Sequence, residues 1–108
     1  MNEAQVIAML NALSQETRLR IVRYLVSCGD EGASAGDVGK RVEATYSRAS
    51  FHLSALENAG VISSQRQSRK IIYRANFEQI GSLLSFLLND CCKNHPDIRA
   101  CCLSEDCC

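Results

Sequence analysis

The chain of 108 residues has no tryptophan, a single proline, Pro96, and only three tyrosines and three phenylalanines. So little proline, beside a hydrophobic fraction of 46%, excludes collagen-like and polyproline architectures and a disordered tail protein. Neither sign of charge is in excess, with twelve Lys plus Arg against twelve Asp plus Glu, which excludes a uniformly basic nucleic-acid coat. No apolar run approaches a membrane span, so no membrane partner is expected. Residues 1–10 lack the basic head, apolar stretch and cleavage site of a secretory signal, so the expected compartment is the cytoplasm. There is no Cys-x-x-Cys, no glycine-rich phosphate loop and no nucleophile–base pair at a recognisable spacing, which argues against an enzyme. The length suits one domain with a modest core.

What the chain does have is cysteine, seven of them, distributed unevenly. Cys28 stands alone, whereas Cys91, Cys92, Cys101, Cys102, Cys107 and Cys108 form three adjacent pairs near the end. An odd number in this arrangement is a poor disulfide framework. Clustered thiols in a reducing compartment suit a soft ion or redox chemistry. Residues 93–108 therefore read as a Cys-rich segment appended to a domain over 1–92, with Cys28 a core or helix-end residue.

Charge is also uneven. Between Lys40 and Arg74 seven basic residues face two acidic ones, a local balance of +5, whereas 90–108 carries −2. The middle of the chain is therefore the phosphate-facing candidate and the thiol segment is not.

Apolar periodicity predicts helices over 3–12, 17–27 (capped by Ser14, stopped at Gly29, with Arg18, Arg20 and Arg23 along a basic edge), 35–42 (capped by Ser34) and 46–59 (capped by Thr45, stopped at Gly60). The third and fourth, separated by Glu43, Ala44 and Thr45, describe a helix-turn-helix. Residues 61–65 and 70–75 alternate as a hairpin with Arg66, Gln67, Ser68 and Arg69 at its tip, a basic wing. A last helix over 77–92 is apolar around most of its girth, which implies a partner subunit, and Pro96 ends it at or before Asn94. The expected fold is thus mainly α with a small β-hairpin, a winged helix-turn-helix.

On the second helix of that motif, Tyr46, Ser47, Arg48, Ser50, Phe51 and His52 are read as facing away from the core. In a major groove Arg48 would meet guanine or phosphate, Ser50 and His52 base edges or backbone, and the Thr45 cap would bring the helix start to a phosphate. Tyr46 and Phe51 suit packing as well as reading. Arg66, Arg69 and Lys70 would add sequence-independent affinity.

The segments LNALSQETRLRIVRYLV (10–26) and VEATYSRASFHLSALENAGVISSQRQSRKIIYRA (42–75) resemble the ArsR/SmtB family of winged-helix metal-sensing repressors, a similarity that extends over nearly all of residues 5–92. The second segment includes the His52-Leu53 pair, the Ala59-Gly60 stop and the Tyr73-Arg74 of the wing. The resemblance implies a homodimer through the first and last helices that binds double-stranded operator DNA, represses transcription and lets go when an ion binds. The family's Cys-Val-Cys motif is absent, since that region reads ASAGDVGK, and 77–89 has no histidine and only Glu78 as a carboxylate. The end of the chain instead looks like the arsenic-responsive branch with a vicinal cysteine pair, although Arg99 stands where a further cysteine is expected.

Clustered thiolates without histidine or carboxylates at useful spacing favour trivalent arsenic over zinc. Arsenite or antimonite takes three thiolates and methylarsenite two, so the candidate ligands are Cys91, Cys92, Cys101 and Cys102. Adjacent helical residues point about 100° apart, so Cys91 and Cys92 do not easily share one ion while the helix is intact. Two arrangements stay open: one of Cys91 or Cys92 with Cys101 and Cys102, or Cys101 and Cys102 alone. A thiol redox sensor or soft-metal sensor on the same fold is the alternative.

Overall fold

The computed structural model describes residues 1–104. Helix α1 (Glu3–Leu13) opens with a reciprocal cap: Asn2 Oδ1 accepts from the Gln5 N–H at 2.8 Å, and the Asn2 N–H donates to Gln5 Oε1 at 2.9 Å. Ser14 closes α1 rather than capping the next helix, its hydroxyl donating to the Asn11 carbonyl. The cap of α2 (Glu16–Cys28) is Gln15, whose side chain accepts from the Arg18 N–H at 2.8 Å. Ser14 was the better residue type, but the turn leaves it one position early.

After a short 3₁₀ turn, strand β1 (Ala33–Ser34) leads into α3 (Ala35–Arg41), where Ser34 Oγ accepts from the Asp37 N–H as expected. Helix α4 (Tyr46–Asn58) follows, capped by Thr45, and the chain turns at Gly60 with φ +86°. Strands β2 (Ile62–Gln67) and β3 (Lys70–Ala75) then pair antiparallel from Ile62↔Ala75 to Gln67↔Lys70. Their turn is only Ser68-Arg69, tighter than the four-residue tip expected, so Arg66 lies within β2. Strand β1 joins the other edge of β3, Ala33 opposite Tyr73, giving the order β1-β3-β2.

The core runs from α1 (Val6, Met9, Ala12) through α2 (Ile21, Val22, Leu25) and α3 (Val38) to α4 (Leu53, Leu56), with Val61 and Ile62 beneath the wing and Leu83 from the last domain helix. Each large aliphatic side chain removed from water there contributes about 1.5–3 kcal/mol. Leu10, Leu19 and Val26, at apolar positions of the helical pattern, instead stay exposed.

Helix α5 (Phe77–Ser85) continues without a break into a π-helical turn over Phe86–Cys91, ending at Cys92. Lys93 and Asn94 both adopt left-handed backbone (φ +54° and +53°). Pro96 does more than end a helix. It is the first residue of α6 (Pro96–Leu103), with His95 Nδ1 accepting from the Asp97 N–H at 3.1 Å. This helix, absent from the expectation, buries none of its residues. The radius of gyration, 15.0 Å, exceeds the value of about 13 Å for a compact domain of this length. None of the described helices is long and apolar enough to cross a membrane.

Candidate nucleic-acid interface and thiol segment

Thr45 Oγ1 accepts from the Arg48 N–H at 3.2 Å and fixes the first turn of α4. Packing of Ala49, Leu53 and Leu56 inward leaves Tyr46, Ser47, Arg48 and Phe51 outward, Tyr46 69% and Phe51 64% exposed, with Ser50 half-buried at the margin. Ser54, also exposed, extends this face one turn beyond the residues singled out from sequence.

His52 is a correction. It is 7% exposed and lies under α4, where Nδ1 accepts from Arg18 Nε of α2 at 3.2 Å. Burial first, then the Arg18 and Arg48 charges, lowers its pKa below the ordinary 6.5, which favours the neutral ring that accepts this bond. His52 therefore ties the exposed helix to the core through Nδ1, and little of its ring is left at the cleft it lines with Ser47, Arg48 and Phe51. The spacing held the signal: Ala49, His52, Leu53 and Leu56 stand at i, i+3, i+4 and i+7.

The basic run also divides on inspection. Arg69 and Lys70 are exposed at the wing turn and share a cleft with Tyr46. Arg66, exposed on β2, bends its guanidinium toward the Ser68 carbonyl at 3.4 Å. Arg74 donates to the Asp30 carbonyl at 2.6 Å and to Gln65 Oε1 at 3.1 Å, tying the wing to the loop after α2. Arg41 lies over the Tyr24 ring at 5.6 Å, on the far side of α3. These last two have structural duties, so part of the +5 balance is spoken for.

Among the cysteines, Cys28 ends α2 half-buried against the core, and a hydrogen bond with it is the leading cause that raises the Tyr24 pKa. Cys91 is exposed and Cys92 half-buried at the end of the π-helical turn. Hydrogen bonding with Cys91 is the leading cause that raises the Cys92 pKa, followed by burial. Cys91 and Cys92 end a π-helical turn, not the ordinary α-helix in which adjacent side chains stand about 100° apart. Cys101 and Cys102 are adjacent on α6, Cys102 exposed and Cys101 disulfide-bonded. Cys107 and Cys108 lie outside the described residues. No group of three or more His, Cys, Asp or Glu side chains that could hold a metal ion is present among the described residues.

A short helix, a tight turn and an exposed second helix backed by a basic hairpin define a winged helix-turn-helix DNA-binding regulator. A helix-turn-helix domain model matches residues 13–65. The HTH-type transcriptional regulator YgaV of Escherichia coli is 33% identical over 88 residues, 82% of this chain and 87% of that protein. An ArsR-like transcriptional regulator from a Rhodococcus species superposes with a TM-score of 0.74 at 27% identity, covering 90% of this chain and 89% of that one. A structure described as a possible transcriptional regulator for arsenical resistance has a TM-score of 0.64 at 25% identity, covering 73% and 79%. The chain belongs to the ArsR/SmtB family of transcriptional regulators, and it is a DNA-binding regulator rather than an enzyme.

Proposed function

We propose that this regulator is a homodimeric repressor that leaves its operator when trivalent arsenic binds the C-terminal thiols, with Cys91 and Cys92 as the principal ligands. The observation that carries the reading is the placing of two adjacent free thiols, Cys91 exposed and Cys92 half-buried, at the end of the π-helical turn. Methylarsenite, which keeps one carbon on arsenic, exchanges two hydroxyls for these two thiolates and releases two waters. Arsenite or antimonite needs a third thiolate, from Cys102, Cys101 or a partner subunit. Cys101 and Cys102 alone are the weaker pair, since adjacent α-helical side chains diverge by about 100° and Cys101 is disulfide-bonded. Likeness to a regulator described in connection with arsenical resistance supports the same effector class.

The dimer reading rests on apolar surface. Ile7 and Leu10 of α1 and Phe77 and Leu84 of α5 are exposed, Leu84 by 55%, more than a monomer of this size conveniently leaves in water. The π-helical turn continues α5 directly, so a metalloid clamped across Cys91 and Cys92 acts on a helix that also belongs to the proposed dimer face. In the dimer two α4 helices would enter successive major grooves about 34–36 Å apart. A coupling of about 1–3 kcal/mol weakens DNA binding by roughly 5- to 150-fold, enough for derepression. Thr45, Tyr46, Ser47, Arg48 and Ser50 serve the groove and Arg66, Arg69 and Lys70 the backbone; His52 positions α4.

The test is anisotropy of a labelled duplex from the chain's own promoter, titrated under reducing conditions with methylarsenite, arsenite, antimonite and zinc. Methylarsenite is expected to release the wild type and Cys101→Ser/Cys102→Ser, and to leave Cys91→Ser/Cys92→Ser bound. Release of the Cys91→Ser/Cys92→Ser protein at the wild-type dose would overturn the assignment. The disulfide at Cys101 favours a second reading, in which peroxide takes two electrons and two protons from a thiol pair, giving a disulfide and two waters. Release by hydrogen peroxide alone, without arsenical response, would select it.

A further inference from the structure

The strip between the start of α3 and the wing holds an open cleft of about 270 Å³, lined by Ser34, Tyr46, Arg69, Lys70 and Tyr73 beside Ile71. Two cations and three hydroxyls face it, and no carboxylate lines it. The topology builds this arrangement: pairing of β1 with β3 sets Ala33 opposite Tyr73 and Ser34 opposite Ile72. The two-residue turn delivers Arg69 and Lys70 on the same hairpin, and Tyr46 arrives as the first residue of α4. Neither Arg69 nor Lys70 belongs to the salt bridges found among the described residues, which join Arg20 to Glu16, Lys93 to Asp90 and His95 to Asp97. Ser34 Oγ accepts from the Asp37 N–H, which leaves its own proton free to be donated outward. Burial, then Glu57 and Tyr46, raises the Tyr73 pKa, so the phenol stays a neutral donor at physiological pH.

Cations and neutral donors converging on an open cleft with no carboxylate in its lining, Glu57 acting on the Tyr73 phenol from outside it, are the chemistry of a phosphodiester site. We propose that this cleft seats one backbone phosphate of the operator where the strand passes between α4 and the wing, with the Tyr73 and Ser34 hydroxyls donating to it beside Arg69 and Lys70. The inference rests on the DNA-binding reading and adds two residues that the basic run and the exposed face of α4 do not include. Tyr73 thereby becomes a DNA contact as well as a strand residue.

Anisotropy of the same promoter duplex across a salt series tests it, repeated with duplexes carrying a single neutral methylphosphonate at successive positions. Tyr73→Phe is expected to weaken binding on the order of tenfold, as for one hydrogen bond to a charged acceptor, without changing the salt slope. Arg69→Ala with Lys70→Ala is expected to flatten that slope by about 1.8, two phosphate contacts' worth. At one methylphosphonate position the difference between wild type and Tyr73→Phe should vanish. Equal binding by Tyr73→Phe and wild type at every salt, or a loss that persists at every methylphosphonate position, would overturn the proposal. Failure of the wild type itself to bind the duplex would instead bring down the DNA reading, and the cleft with it.

Discussion

The winged domain and the C-terminal arm are built on different physical terms. In the domain, α4 is held by Leu53 and Leu56, which are fully buried, by the Thr45 cap and by the His52–Arg18 bond across to α2. In the arm, α6 buries no residue, the π-helical turn lays only Phe86 and Leu87, half-buried, against the core, and the thiols stand at the surface or half-covered. A reading head must keep its side chains in register with base pairs, and core packing supplies that rigidity. A segment that responds to a small ligand must change winding or direction at low cost, and weak packing supplies that freedom. On the proposed function, this chain separates recognition from response along its length.

The largest effect expected to break that comparison is in the body. Leu53→Ala should cost about 2–5 kcal/mol in urea unfolding, because it opens a cavity under α4. Ile98→Ala on α6, where the side chain is exposed, should stay within about 0.5 kcal/mol. Similar losses at both sites would mean that the arm is packed as firmly as the domain. A smaller effect comes from Thr45→Ala, which removes the acceptor for the Arg48 N–H and should lower stability by about 1 kcal/mol. Measured against the unfolding midpoint, an unchanged value would show that the start of α4 is held by packing alone.

The subtlest test concerns His52. Its folded pKa lies below the unfolded value of about 6.5, so at intermediate pH the unfolded chain binds more protons. The stability linked to this residue is full above pH 6.5 and is lost as pH falls through the folded pKa. The urea midpoint should therefore drop on acidification from neutral pH, and His52→Gln should reduce that drop. An identical pH profile in the variant would mean that other groups carry the dependence.

Much of the domain was legible in the sequence because its signals are periodic or positional. Apolar spacing gave α1 to α4, Ser34 and Thr45 are caps of the preferred types, and Gly60 turns with the positive φ that glycine permits. Strand β1 escaped because two residues carry no period. Its trace lies in Gly32, at φ +64°, where an added Cβ would stand 2.3 Å from the Tyr73 carbonyl oxygen, so only glycine lets β1 approach β3. The Tyr73 cleft escaped with it, since pairing across that edge is what brings Ser34 to the wing.

His52 was misplaced because a polar residue at a core position looks like a reading residue until its partner, 34 positions earlier, is seen. The arm was least legible. The π-helical turn has no composition of its own, and Pro96 was taken as a terminator when it also suits the first position of a new helix.

One joint of the backbone is strained. Lys93 and Asn94 stand consecutively in left-handed backbone between the π-helical turn and α6. Asparagine tolerates that region, but lysine pays about 1–2 kcal/mol to enter it. That sum is comparable to the coupling a regulator of this kind needs. The elbow that aims the last helix is therefore strained at one residue, and in the response proposed above glycine at this single position would relieve that strain and shift the dose.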